Sequence, residues 1–109
     1  MAWLVIKGHV LASAEVATDH RAKARGLLGT DGIEGVIVLP GCRWVHTIGM
    51  RYPIDVAYLS ADGTVLKITH MHRHRIGAPV RHACTVVEGE LGDFERWGMH
   101  VGDAVEIRE

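Results

Sequence analysis

The dipeptide Asp62-Gly63 lies between two stretches rich in β-branched and aromatic residues, 54–60 and 64–70. Asp-Gly readily adopts the positive φ angles that a tight, right-twisted hairpin requires, so this pattern is a strong local hairpin signal. A lone hairpin is only marginally stable in water and has to bury its apolar face against more sheet. The sequence therefore predicts a protein built mainly of antiparallel strands.

Short apolar runs continue this pattern on both sides of the hairpin. Residues 35–39 form a continuous apolar run that Pro40 and Gly41 end, which is typical of a strand buried on both faces. The other predicted strands are residues 42–48, 82–88 and 104–107, and residues 3–12 are predicted to form one bent strand or a short hairpin that Gly8 interrupts. Most of the connections between these strands are short, which favours neighbouring antiparallel pairs.

Two short helices are predicted among these strands. Residues 18–29 begin with Thr18 as a suitable N-cap and end at Gly29. Residues 90–97 carry apolar side chains at helical spacing. Strands interrupted by two short helices indicate the α+β class. We expect a single compact domain over residues 1–109, with a mostly antiparallel curled sheet or partial β-barrel and two short helices.

The composition argues against several classes of function. Twelve Lys and Arg residues balance thirteen Asp and Glu residues, so bulk charge gives no support for binding nucleic acid or an anionic membrane. No apolar run approaches the ~20 residues of a membrane helix, and no signal peptide is evident. We therefore predict a cytoplasmic protein with no nucleic-acid and no membrane partner. Cys42 and Cys84 are predicted to be buried thiols, with a single bridge between them as the alternative.

Six segments occur in a fixed order along the chain. They are Ala24-Arg25-Gly26-Leu27-Leu28-Gly29, Tyr52-Pro53-Ile54-Asp55-Val56-Ala57-Tyr58-Leu59, Asp62-Gly63-Thr64-Val65, Val86-Val87-Glu88, Trp97-Gly98-Met99 and Val101-Gly102-Asp103. Their order and spacing resemble the family named domain of unknown function 192. Many members have a Trp-Met-Lys-Asn-Thr type segment before the Pro-x-Asp, whereas this chain resembles a branch with His46-Thr47-Ile48-Gly49-Met50-Arg51. The resemblance implies a small β-rich α+β domain and no established reaction.

A histidine, an arginine and an aspartate occur close together in the segment that carries this resemblance. Arg21 and Arg25 share one face of the first predicted helix, which can cover the mouth of the curled sheet. Guanidinium groups bind the planar oxyanions of carboxylates, phosphates and acidic sugars. The predicted site for a small anionic ligand comprises His46, Arg51, Asp55, Arg21, Arg25 and Trp44. The alternative is structural, with Asp55 paired to Arg21 or Arg25 so that helix and sheet are held together.

A second candidate site consists of His70, His72 and His74. Alternate residues of a strand face the same side, so the three imidazoles would share one face if the strand continued through them. Such a set could bind Zn or another divalent transition metal. The alternative is an exposed loop in which Arg73 and Arg75 repel cations, and in that case no cofactor is expected.

The function predicted from these features is that of a non-enzymatic binding or accessory domain with a small polar pocket for an anion. One alternative is a metal-binding protein that uses the three histidines, and another is an interaction module that uses an exposed sheet edge. A third is a hydrolase-like enzyme with His46 as acid or base. The sequence shows no nucleophile signature beside His46, so no catalytic residue is assigned.

Overall fold

The computed structural model describes residues 2–17, 19 and 30–109, which form one seven-stranded sheet. The strands are β1 (Ala2–Ile6), β2 (His9–Val16), β3 (Val36–Pro40), β4 (Ile54–Leu59), β5 (Val65–Met71), β6 (Thr85–Glu90) and β7 (Val105–Arg108). Their order across the sheet is β5-β4-β6-β3-β2-β1-β7. Only the β2–β3 pair is parallel, so the predicted antiparallel-rich sheet is confirmed.

The sheet is rolled so that its two outer strands meet at one end. Thr64 forms an antiparallel bridge with Ala104, and the Val65 N–H donates to the Asp103 carbonyl over 2.9 Å. Gly63, in the predicted hairpin turn, has a φ of +87°, and a Cβ on it would lie 2.4 Å from the Val105 carbonyl oxygen. Both the turn and the close approach of the two outer strands therefore require glycine at this position. The contact between these strands at one end makes the sheet a half-barrel.

The rolled sheet separates two apolar clusters. The inner core, which fills the roll, contains Ala2, Leu4, Ile6, Ala14, Val36, Val38, Ala57, Leu59, Val65, Val87, Phe94, Met99 and Val105. The outer core lies on the opposite face and contains Ala17, Ile37, Leu39, Val45, Met50, Ile54, Val56, Tyr58, Met71, Ala83 and Val86. Strand β3 contributes to both cores, which explains its continuous apolar run.

Two expectations about local structure need correction. The described residues contain one helix, α1 (Asp93–Arg96), so the predicted two helices are not borne out. The helix predicted over residues 18–29 lies outside the described residues, apart from Asp19. Helix α1 is shorter than predicted because β6 continues to Glu90 and Gly92 is left-handed, with a φ of +92°. The strand predicted over residues 42–48 is reduced to a single bridge between His46 and Ile76.

Close packing of α1 on the sheet depends on Gly89. A Cβ at this position would lie 2.9 Å from Cε1 of Phe94, whose ring is buried in the inner core. We expect Gly89→Ala to lower the free energy of unfolding by about 2 kcal/mol, because the ring has to move in a packed interior. Urea unfolding followed by circular dichroism measures this loss. Gly32→Ala is the control, since nothing lies within 4 Å of its new Cβ; an equal loss in both variants would contradict the packing argument.

Candidate functional site

Asp55 joins strand β4 to helix α1 inside the roll. Its side chain is completely buried, and its register neighbours are His70 on β5 and Gly89 on β6. Oδ1 lies 2.5 Å from Nδ1 of His70, while Oδ2 accepts hydrogen bonds from the backbone N–H groups of Gly92 (3.0 Å) and Phe94 (3.2 Å). The carboxylate thus caps a helix that has no cap of its own.

The other residues of the predicted anion site have different surroundings. Arg51 is exposed and forms an ion pair with Asp31, 2.7 Å between Nη1 and Oδ1. The ring of His46 lies 6.1 Å from that of Trp44, between centroids, and its buried Nδ1 has no hydrogen-bond partner among the described residues. Arg21 and Arg25 lie outside those residues. The structure therefore places Arg51 in solvent and Asp55 in the interior, with no shared partner.

The three histidines of the predicted metal site do not form one ligand group. Strand β5 ends at Met71, so the alternation that would put them on one face stops there. His70 contacts Asp55, and Nδ1 of His74 accepts a hydrogen bond from the Gly49 N–H over 3.2 Å. Within residues 2–17, 19 and 30–109, no group of three His, Cys, Asp or Glu side chains is placed to hold a metal. Among the described residues, the predicted metal site therefore lacks a set of three ligands.

Thr47, which the sequence did not single out, fastens two loops to each other. It is completely buried, and its Oγ1 donates to the His72 carbonyl (2.6 Å) and accepts from the Arg75 N–H (2.8 Å). The Thr47 N–H donates to the Arg75 carbonyl over 2.7 Å. These bonds hold residues 44–50 against residues 72–77. A threonine between a histidine and an isoleucine carries no sequence signal for such a role.

A cleft of about 290 Å³ opens between β5 and the loop of residues 72–78. Its polar lining includes the hydroxyl-bearing residues Tyr58 and Thr69 and four basic residues, Lys67, His70, His72 and Arg75. No aspartate or glutamate of the described residues lines it. We call this space the basic cleft. Its size is at the lower end of the ~300–1,000 Å³ typical of ligand sites, which fits a small ligand.

Glu88 is a second buried acid that the sequence analysis overlooked. It is 4% exposed, its register neighbours are Ile37 and Val56, and its Oε1 has no hydrogen-bond partner in the described part of the chain. Burial raises the pKa of its carboxyl to about 7. Burial also raises the pKa of Tyr58, to which the nearby charge of Glu88 contributes. The alternation Val86-Val87-Glu88 in a central strand was the signal, because it puts Glu88 on the buried face of Val86.

Two further expectations can be compared with the structure. Cys42 and Cys84 do not form the disulfide that was considered as an alternative; Cys42 is half-buried, while Cys84 is exposed rather than buried as predicted. No helix in the described ranges is long and apolar enough to cross a membrane.

The rolled sheet with two cores and a small polar cleft places this chain in the class of compact β-rich half-barrel domains. It belongs to the DUF192 family, described as "Uncharacterized ACR, COG1430", which matches residues 3–107. The resemblance drawn from the sequence motifs is confirmed. The family has no established activity, so membership identifies the fold and leaves the function to be argued from the site.

Related proteins support the same assignment. The chain is 32% identical over 97 residues to the UPF0127 protein PYRAB11210 of Pyrococcus abyssi, covering 84% of this chain and 83% of that protein. It is 37% identical over 62 residues to the UPF0127 protein PF1050 of Pyrococcus furiosus, covering 57% of this chain and about half (53%) of that relative.

Two crystal structures share the fold at 21% sequence identity. A protein of unknown function from Novosphingobium aromaticivorans superposes with a TM-score of 0.81, over 96% of this chain and 82% of its own. A protein from Sinorhizobium meliloti superposes with a TM-score of 0.82, over 97% and 91%. At this identity the likeness establishes the half-barrel alone.

Proposed function

We propose that the chain is a non-enzymatic, cytoplasmic binding domain whose basic cleft takes a small anionic ligand. The observation that carries this proposal is the lining of the cleft. Lys67, His72 and Arg75 surround it without an acidic residue from the described part of the chain. Charge-assisted hydrogen bonds from such groups to a phosphate or carboxylate are about twice as strong as neutral ones.

The walls of the cleft are fixed before a ligand arrives, which lowers the entropic cost of binding. The Arg75 N–H donates to Oγ1 of Thr47, and the Arg75 carbonyl accepts from the Thr47 N–H, so both backbone groups of Arg75 are held. Gly77 donates its N–H to the Val45 carbonyl over 2.9 Å, and a Cβ on Gly77 would lie 3.4 Å from the Tyr58 hydroxyl. The loop that carries His72 and Arg75 is therefore packed on the sheet that carries Tyr58 and Thr69.

The site proposed here differs from the one predicted from the sequence. The predicted site placed Arg51 and Asp55 together with His46, whereas the cleft uses basic residues from β5 and the loop that follows it. The predicted class of ligand, a small anion, is kept. Asp55 accepts hydrogen bonds from backbone N–H groups at the start of α1, a partner other than Arg21 or Arg25, with which the structural alternative paired it.

Titration with inorganic phosphate and with citrate tests the proposal. We expect saturable binding that Lys67→Gln and Arg75→Gln each weaken by at least about tenfold, since a lost charge-assisted hydrogen bond is worth ~1.5–3 kcal/mol. Calorimetry, or chemical-shift changes at Thr69 and Gly77, measures the affinity. Lys7→Gln, an exposed lysine in the β1–β2 turn, is the matched control. Non-saturable binding, or binding that neither cleft variant weakens, would contradict the proposal.

A further inference from the structure

The charges of this chain are unevenly distributed, although they nearly cancel. Residues 35–54 and 63–87 contain no aspartate or glutamate. These two stretches include the loops that cover the outer core, residues 41–51 and 72–82. Within the two loops are five arginines and four histidines, and no lysine. The loops therefore form one surface of a single charge sign, which we call the basic loop face.

Backbone hydrogen bonds make the two loops one rigid surface. The Gly77 N–H donates to the Val45 carbonyl (2.9 Å), and the Val80 N–H donates to the Arg43 carbonyl (3.0 Å). The hydrogen bonds of Thr47 to His72 and Arg75, which we call the Thr47 clasp, are a third connection. Residues that are distant in sequence, such as Arg43 and Arg81, are thereby held on the same side of the molecule.

Four arginines of this face are available to a partner. Arg43, Arg73, Arg75 and Arg81 are exposed, and none of them forms an ion pair with an acidic residue that the structure describes. Arg51 differs, because it is paired with Asp31. The unpaired guanidinium groups create a local positive potential that the net charge of the chain does not reveal.

Large apolar side chains are exposed within the same face. Trp44 is 48% exposed, Ile48 is 50% exposed and Ile76 is 71% exposed. Ile76 is bridged to His46, whose ring contacts Trp44, and Ile48 follows two residues later. All three residues therefore belong to the joined loops that carry the arginines, and two of them neighbour the same histidine. Single exposed apolar residues are ordinary, but several large ones on one basic surface indicate an interaction site.

We propose that the basic loop face docks on an anionic lipid bilayer, with Trp44, Ile48 and Ile76 entering the interfacial layer. A bilayer offers negative headgroups and, directly behind them, an apolar phase, which matches bulky apolar side chains ringed by cations. Tryptophan favours this interfacial depth because its ring is amphipathic. Nucleic acid would match the charge but offers no comparable environment for two isoleucines. The proposed docking surface extends beyond the basic cleft, with which it shares Arg75 and Ile76, and does not require that the cleft bind a free anion.

Vesicle flotation tests this docking. The untagged protein is expected to float with vesicles of phosphatidylcholine and phosphatidylglycerol, and to remain unbound with phosphatidylcholine alone. Binding should weaken strongly between about 0.1 M and about 1 M salt, over which the Debye length falls from ~10 Å to ~3 Å. Tryptophan emission should shift to shorter wavelength on binding, and Trp44→Phe should abolish that shift.

Paired variants separate the two contributions. Arg73→Gln with Arg75→Gln should weaken partitioning about 30-fold, on the basis of ~1 kcal/mol for each cation near the surface. Ile48→Ser with Ile76→Ser should weaken it as well, whereas Val101→Ser, at a 61% exposed apolar site outside the face, should not. Each variant is checked for folding by its thermal transition; Arg43→Gln with Arg81→Gln replaces any arginine variant that unfolds.

Three results would overturn the docking proposal. The first is equal binding to both kinds of vesicle or to neither. The second is equal weakening by Val101→Ser and by the isoleucine variant. The third is tighter binding to a single-stranded RNA oligonucleotide than to anionic vesicles. Soluble glycerol phosphate serves as a competitor. If it displaces the protein fully from the vesicles, and if the isoleucine variant binds the vesicles as well as wild type, the binding belongs to the basic cleft alone.

Discussion

Asp55→Ala is expected to lower the free energy of unfolding by about 3 kcal/mol. The substitution removes the acceptor of the Gly92 and Phe94 N–H groups at the start of α1. A buried donor left without a partner costs ~1–3 kcal/mol, and Phe94 belongs to the inner core. Guanidinium chloride unfolding, followed by circular dichroism and extrapolated to water, measures the loss.

His70→Gln is the matched comparison for this prediction. The His70 side chain is 56% exposed, and its replacement leaves in place both hydrogen bonds that Asp55 accepts from the Gly92 and Phe94 N–H groups. We expect a loss below ~1 kcal/mol, because a half-exposed pair is screened by solvent. Similar losses in the two variants would show that the contact with His70, rather than the helix cap, accounts for the stabilising role of Asp55.

Glu88→Gln is expected to stabilise the protein by about 3 kcal/mol near pH 9 and to change little near pH 4. Burial raises the folded-state pKa of Glu88 from its ordinary value of 4.5 to about 7. The folded protein therefore holds the proton more tightly than the unfolded chain. The stability contributed by the protonated group is fully present below pH 4.5 and is lost as the pH rises to about 7. Urea unfolding across this range measures the difference between variant and wild type.

Glu90→Gln is the control for the pH dependence. Glu90 lies two residues further along β6 and is exposed, so its substitution removes no buried carboxyl group and should change the free energy of unfolding little. The Glu88→Gln difference should instead grow between about pH 4.5 and pH 7 and then remain constant. A difference that is flat for both variants would mean that the Glu88 carboxylate has a partner or solvent in the folded state.

The sequence predicted the architecture because its strand signals are local. Asp62-Gly63 specifies a turn through the φ angles that it tolerates, and the run at residues 35–39 reports burial on both faces without knowledge of any partner. The length of α1 could not be predicted in the same way. Helical spacing over residues 90–97 competes with the strand pairing of Glu90 to Ile54 on β4, and the strand pairing prevails.

The basic cleft could not be predicted from spacing along the chain. His46, Arg51 and Asp55 are close in sequence, but the bend between His46 and Ile54 separates their side chains. The residues that do meet in the cleft, such as Tyr58 and Arg75, come from different segments, strand β4 and the loop after β5. The charge of the basic loop face could not be predicted for another reason. Net charge is a sum over the whole chain and contains no information about where the charged residues lie.

The pairing of β1 with β7 determines when the fold can be completed. Leu4 on β1 lies opposite Ile107 on β7, so contacts between the first and last strands connect residues about a hundred positions apart. Closing so long a loop delays these contacts and is typical of domains that fold in milliseconds to seconds. During synthesis β7 leaves the ribosome after the other six strands, so the β1 edge stays unpaired until then. Chaperone dependence of this domain should therefore concentrate in that interval.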